Sequence, residues 1–194
     1  MSWNINRLND YKLGCSELVD IISKHDICFH FEYWANSNSK LDINGYVTHN
    51  LYRKFQHRNA RRCSGGVILY YREHLKHGIE VVKNNHDTII WIKLKHACFN
   101  LETDIYICGA YIWGEDSPAY NTVDVDLFET LENDISFFQE IGDVFLTGDF
   151  NSRVGYKSDF IVCDTLNSST NIDGYIPETT SPGPQTINLI IATI

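Results

Sequence analysis

No stretch of this 194-residue chain approaches the roughly 18 consecutive apolar residues of a membrane-spanning helix, so a soluble protein without a membrane partner is expected. The opening residues Met1-Ser2-Trp3-Asn4-Ile5-Asn6 are neither a basic nor an apolar leader, and no secretory signal is expected. Six cysteines, at 15, 28, 63, 98, 108 and 163, include no C-x-x-C pair. That spacing argues against a structural zinc site and for a reducing intracellular setting, nuclear or cytoplasmic. Cys28, Cys98 and Cys108 lie in or beside apolar runs, where a free thiol acts as a small hydrophobe. The eight histidines lack metal-ligand spacing, and there is no internal repeat. Nor is the chain basic. Sixteen cations face 25 carboxylates, a net charge of −9, which disfavours indiscriminate binding of nucleic acid by the whole surface.

What is present suits one packed domain spanning 1–194: 43% hydrophobic and 13% aromatic residues. Residues 2–6 alternate as in a half-buried strand, with Asn4 and Asn6 on one side. Ser16 offers an N-cap for a helix over 17–24 with Leu18, Ile21 and Ile22 on one face. A short apolar strand is expected at 26–31, and a polar, irregular segment at 33–62. Ser64-Gly65-Gly66 leads into a strand at 67–71, followed by β-branched and aromatic runs at 79–82, 88–94 and 104–111. Leu127, Leu131, Ile135 and Phe138 form a helical stripe among the acidic residues Asp124, Asp126, Glu129, Glu132 and Asp134. A buried strand at 144–148 ends at glycine, and an irregular tail at 156–194 closes on an apolar run. The mixture predicts an α/β (α+β) architecture with mixed sheets, covered on both faces around 89–94, 104–111 and 144–148.

The segment Thr147-Gly148-Asp149-Phe150-Asn151-Ser152-Arg153 carries a carboxylate and an amide two residues apart, which extended geometry sets on one side. Such a pair orders a water and a phosphate oxygen; after a glycine it also makes an ordinary turn. Asn4 and Asn6, Glu32 and Tyr111 likewise close apolar runs. Singly, each suits a solvated edge or a satisfied core hydroxyl. Their recurrence at strand ends, where α/β proteins build sites, points to a site. Residues 52–62 carry five cations, Arg53, Lys54, Arg58, Arg61 and Arg62, and no carboxylate. They suit either contact with a nucleic-acid backbone or a solvated loop.

Taken in order, Trp3-Asn4-Ile5-Asn6, "DICFHFEYW", "SGGVILYYREHL", "YICGAYIWGEDSPAY" and Gly148-Asp149-Phe150-Asn151-Ser152-Arg153 resemble the endonuclease/exonuclease/phosphatase superfamily. The segments "NLETDIYIC" and "DLFETLENDI" are similar to endonuclease domains of non-LTR retrotransposons. The resemblance implies a DNase I-like four-layer α/β/β/α sandwich and magnesium-dependent phosphodiester hydrolysis, with manganese as a substitute and no small-molecule cofactor. It implies that Glu32 binds the metal, helped by Asn4 or Asn6 through water. Tyr111 would contact the scissile phosphate, Asp149 would orient or activate the attacking water, and Asn151 would hydrogen-bond the phosphoryl oxygen. DNA would be the partner. The chain departs from the pattern at Arg7, usually glycine, at Phe31, usually glutamine, and at Trp113-Gly114, usually Pro-Pro. The pattern's late Ser-Asp and Asp-His pairs have no counterpart, since every histidine lies at or before position 96. The tail "TINLIIATI" resembles the start of the helix after the Asp-Phe-Asn strand. An incomplete sandwich with doubtful activity is therefore expected, the alternatives being an inactive binding scaffold or a phosphatase of small phosphorylated substrates.

Overall fold

Two β-sheets face one another across an apolar interior, each with helical cover outside. The computed structural model describes residues 1–35, 39–53, 65–85, 87–114, 117–121, 125–151 and 188–193. The first sheet has the order β1-β2-β4-β3: β1 (Ser2–Asn4), β2 (Ile27–Phe31), β3 (Tyr46–Leu51) and β4 (Val67–Arg72). β1 runs parallel to β2, while β4 is antiparallel to both β2 and β3. The second has the order β5 to β9: β5 (Ile79–Asn85), β6 (Ile89–Leu94), β7 (Ile105–Tyr111), β8 (Asp143–Asp149) and β9 (Asn188–Thr193). Its one parallel pair is β7 with β8.

Strand periodicity sorts the side chains. Along β2, Phe29 and Phe31 join the cluster between the sheets, and Cys28 joins the second cluster, under the helices. The short α1 (Asp10–Leu13) precedes α2 (Ser16–Ser23), whose Leu18 and Ile22 share that outer cluster with Ile68 and Tyr70. On the far side α4 (Leu127–Gln139), capped by Asp126, sets Phe138 against Trp91 and Tyr106 with ring centroids 4.6 Å apart. A further short helix, α3 (His96–Phe99), follows β6. The layers are thus the expected α/β/β/α, with two mixed sheets. Among the described residues no helix is long and apolar enough to cross a membrane.

Three expectations need correction. The segment 33–62 contains β3, whose polar centre Thr48-His49-Asn50 hides a strand that pairing to β4 enforces. Cys15, not Ser16, is the N-cap of α2; it is extended at φ −80° and makes no side-chain capping bond. The end of the tail is neither irregular nor helical. Its β-branched run forms β9, antiparallel to β8, which otherwise lacks a neighbour on that side. Asp134, among the acidic residues of α4, does not face solvent. It is 2% exposed and accepts from Trp91 Nε1 at 2.9 Å and from Lys83 Nζ.

Candidate active site at the strand ends

The two parallel pairs determine where polar groups gather. Parallel neighbours bring their carboxyl ends to the same rim, so Asn4 lies in register with Phe31, beside Glu32, and Tyr111 with Asp149. The sheets close on one another because Gly109 has no Cβ; one there would come within 2.2 Å of the Phe29 ring. Each sheet then contributes one member to each of two hydrogen bonds. Tyr111 Oη donates to Glu32 Oε1 at 2.5 Å, and Asn4 Nδ2 donates to Asp149 Oδ2 at 2.6 Å.

Beyond the strand ends the backbone leaves the regular regions. Asn6 (φ 43°), Arg7 (72°), Glu32 (54°), Trp34 (55°) and Asn151 (42°) all occupy the left-handed conformation, which costs an ordinary side chain about 1–2 kcal/mol. Such strain gathers where surrounding structure over-determines it. At this rim Arg7 N donates to Glu32 O (2.7 Å), Glu32 N to Gly66 O (3.0 Å) and Trp34 N to Gly65 O (3.1 Å). Asn151 is held twice, by its N–H to Asp149 Oδ1 (3.2 Å) and by Nδ2 to Ile112 O (2.9 Å).

Burial sets the electrostatics. Asp149 is fully buried, and desolvation raises its carboxyl above the ordinary aspartate value. The hydrogen bonds from Asn4 and Asn151 pull it back, and the nearby Glu32 charge pushes it up again. Desolvation, the hydrogen bond to Glu32 and the charges of Glu32 and Asp149 all drive the Tyr111 hydroxyl upward, so it is a neutral donor. Arg53, half-buried, acts against them. Its guanidinium carbon lies 5.2 Å from the centroid of the Trp113 ring.

The structure therefore brings together Asn4, Glu32, Tyr111, Asp149 and Asn151, five side chains from four strand ends in two sheets. Asn6 differs from its expected place. β1 stops at Asn4, and Asn6 is exposed in the left-handed turn beyond, its N–H donating to Asn4 Oδ1 at 3.0 Å. Strand alternation therefore does not place it beside Asn4. Lys54, Arg58, Arg61 and Arg62 lie outside the described residues; Arg53 alone of the basic run is described. Trp113 was legible only as a departure from the family pattern. An aromatic two residues past Tyr111 is the sequence signal that marked it.

Among the described residues no three or more His, Cys, Asp or Glu side chains group as a metal cage. The rim offers hard oxygens instead: the Glu32 carboxylate, and the Asp149 carboxylate already engaged by amides. That set suits magnesium, which takes one or two carboxylates and keeps several waters. It does not suit zinc, with its closed nitrogen and sulfur shell.

A search of curated protein sequences finds no match. Among solved structures, the chain is similar to the catalytic domain of Xenopus laevis APE2, at TM-score 0.54 and 17% identity, covering 78% of this chain and 57% of that one. It is also similar to the 3′ phosphatase NExo from Neisseria, solved with a product DNA hairpin, at TM-score 0.50 and 15% identity, covering 77% and 56%. The 3′-5′ exonuclease NExo from Neisseria meningitidis gives TM-score 0.50 at 16% identity, covering 77% and 56%. At such identities the likeness speaks for the fold, and the chain spans somewhat over half the length of these structures. A sequence model of the Endonuclease/Exonuclease/phosphatase family matches residues 1–186. With the match running over nearly the whole sequence, the chain belongs to the endonuclease/exonuclease/phosphatase family.

Proposed function

We propose that this domain hydrolyses phosphodiester bonds in DNA with magnesium, as a retroelement-type endonuclease. The observation that carries the reading is the pair of cross-sheet contacts, Tyr111 with Glu32 and Asn4 with Asp149, which set two carboxylates and a neutral hydroxyl on one rim. Glu32 would hold the metal, with Asn4 or Asn6 reaching it through water. When bound, magnesium supplies Lewis-acid charge neutralisation on the phosphate. Tyr111 would turn the hydroxyl hydrogen that it gives Glu32 here to a phosphate oxygen. Asp149, made more basic by burial, orients the attacking water and takes its proton. Asn151, anchored through Ile112, offers its other amide hydrogen to the phosphoryl oxygen, where negative charge develops. The basic run from Arg53 to Arg62 would contact DNA phosphates. The resemblance of "NLETDIYIC" and "DLFETLENDI" to retroelement linkers favours DNA over a sugar phosphate.

A second reading, phosphate binding without turnover, is favoured by one observation. None of the hydrogen bonds described at Asp149 comes from an imidazole, a group commonly worth about 10²–10⁴ in rate.

The test is nicking of supercoiled plasmid by the 194-residue chain in millimolar magnesium. Nicking lost in Glu32→Ala and Asp149→Ala supports hydrolysis. A folded chain that binds DNA without magnesium-dependent nicking supports the second reading. Release of phosphate from soluble inositol phosphates without nicking overturns the choice of DNA.

A further inference from the structure

We infer that Arg53, seated on Trp113, is a phosphate-binding residue of the reacting centre itself rather than one more cation along the DNA backbone. The inference rests on the proposed phosphodiester hydrolysis. Its starting point is an electrostatic difficulty: Glu32 and Asp149 both present carboxylates to the rim, and a phosphate arriving there meets two like charges. A metal at Glu32 offsets one side. A fixed cation on a flank of Tyr111 would offset the other.

Arg53 occupies that flank. A Cβ built on Gly65 would lie 3.3 Å from Tyr111 Cε1 and 3.7 Å from Arg53 Nη2, so the phenol ring and the guanidinium border the same glycine. Gly65 has φ +74° and its carbonyl accepts from Trp34 N, which fixes the backbone at this point. The guanidinium is oriented by the Trp113 ring beneath it, a cation–π contact that strengthens as water is excluded. Trp113 is 5% exposed, and its indole N–H is buried with no acceptor among the described residues. A buried donor so left costs about 1–3 kcal/mol unless something accepts from it. The forked cation thus borders the Tyr111 ring and rests on Trp113. A phosphate has the oxygens to accept from the guanidinium, and the planar fork of arginine matches them in pairs where lysine cannot. Trp113 is then a positioning residue for Arg53. It stands where the resembled pattern carries proline.

The shared chemistry is a phosphate oxyanion, from an internal phosphodiester or from a terminal phosphomonoester. Fluorescence anisotropy with two labelled DNA hairpins, one with a 3′-phosphate and one with a 3′-hydroxyl, separates these sources in millimolar magnesium. Arg53→Ala is expected to weaken binding by about 10-fold or more, the scale of one charged hydrogen bond. Loss on both hairpins identifies the internal diester, and loss confined to the phosphorylated one identifies the monoester. Arg53→Lys should recover little, because charge without the fork is insufficient, whereas a mere backbone cation would be rescued. Lys76→Ala, an exposed cation, should change affinity less than about 2-fold. If Arg53→Ala fails to fold, Arg53→Lys alone decides. Wild-type affinity in either Arg53 variant overturns the inference; if nicking still depends on Asp149, the proposed hydrolysis survives that result. Absence of binding by the wild type overturns both.

Discussion

His30 should make the fold sensitive to mild acid. It is fully buried in β2, edge-on to Trp3 (6.3 Å) and Tyr70 (5.7 Å), with no hydrogen-bond partner among the described residues for either ring nitrogen. Burial pushes its pKa down from 6.5 to about 4, helped by the positive charges of the amino terminus and His25. The sign follows from the proton count. Between those values the unfolded chain binds a proton that the folded chain refuses. Stability is therefore complete above about pH 6.5, falls as pH drops towards 4, and levels off below. The full loss is about 3 kcal/mol, of which about 2 kcal/mol has gone by pH 5. His30→Leu keeps the volume and removes the titration. Urea melts at pH 7.5 and pH 5 should show the wild type losing about 2 kcal/mol more than the variant between the two conditions. In thermal melts that is about 4–8 °C. Asp104, held low by Lys93 and His96, gives up its stability at lower pH still, outside this window. His49, also lowered by burial, and Asp149, raised, titrate in both proteins and cancel in the difference. Equal losses in wild type and His30→Leu would refute the argument.

Three further outcomes concern the rim, the helix α4 and the packing of the sheets. Asn4→Ala removes a donor that favours the Asp149 carboxylate, so the acid limb of any nicking activity should move to higher pH; a limb moving lower contradicts the assigned pairing. Asp134→Leu strands the Trp91 N–H and the Lys83 ammonium and should cost about 2–4 kcal/mol in urea melts, with Asp134→Asn recovering part. Wild-type stability in Asp134→Leu would show the network to be dispensable. Gly109→Ala should destabilise by about 1–3 kcal/mol through Phe29 and be relieved by Phe29→Leu. Gly148→Ala meets the Ala110 carbonyl at 2.0 Å and should not be relieved by any side-chain change. Additivity in the Gly109 and Phe29 pair counts against so close an approach of the two sheets, and an unchanged melt for Gly148→Ala counts against the close seating of β8 beside β7.

Glu32, Tyr111 and Asp149 were legible because each closes an apolar run, and a strand that must end somewhere ends where its residues turn polar. Their meeting was not local information. It depends on β1 with β2 and β7 with β8 being parallel, which no single segment declares. Asn6 shows the limit of counting by twos: alternation sets it beside Asn4 only while the chain stays extended, and the chain turns left-handed at that residue. The burial of Asp134 was not legible among Glu129 and Glu132, because its partner Trp91 lies 43 residues earlier, on the sheet that α4 covers. β3 was hidden for the same reason, since Thr48-His49-Asn50 is strand only against β4.

The left-handed backbone at Glu32 carries an implication for how such a domain drifts. Glycine enters that conformation without penalty, so a population selected for thermal endurance alone should exchange the carboxylate for glycine before it touches the packed interior. Under the proposed function, activity and endurance pull in opposite directions at this one residue. A heat-challenged library sequenced at codon 32 would record which of the two had been relaxed.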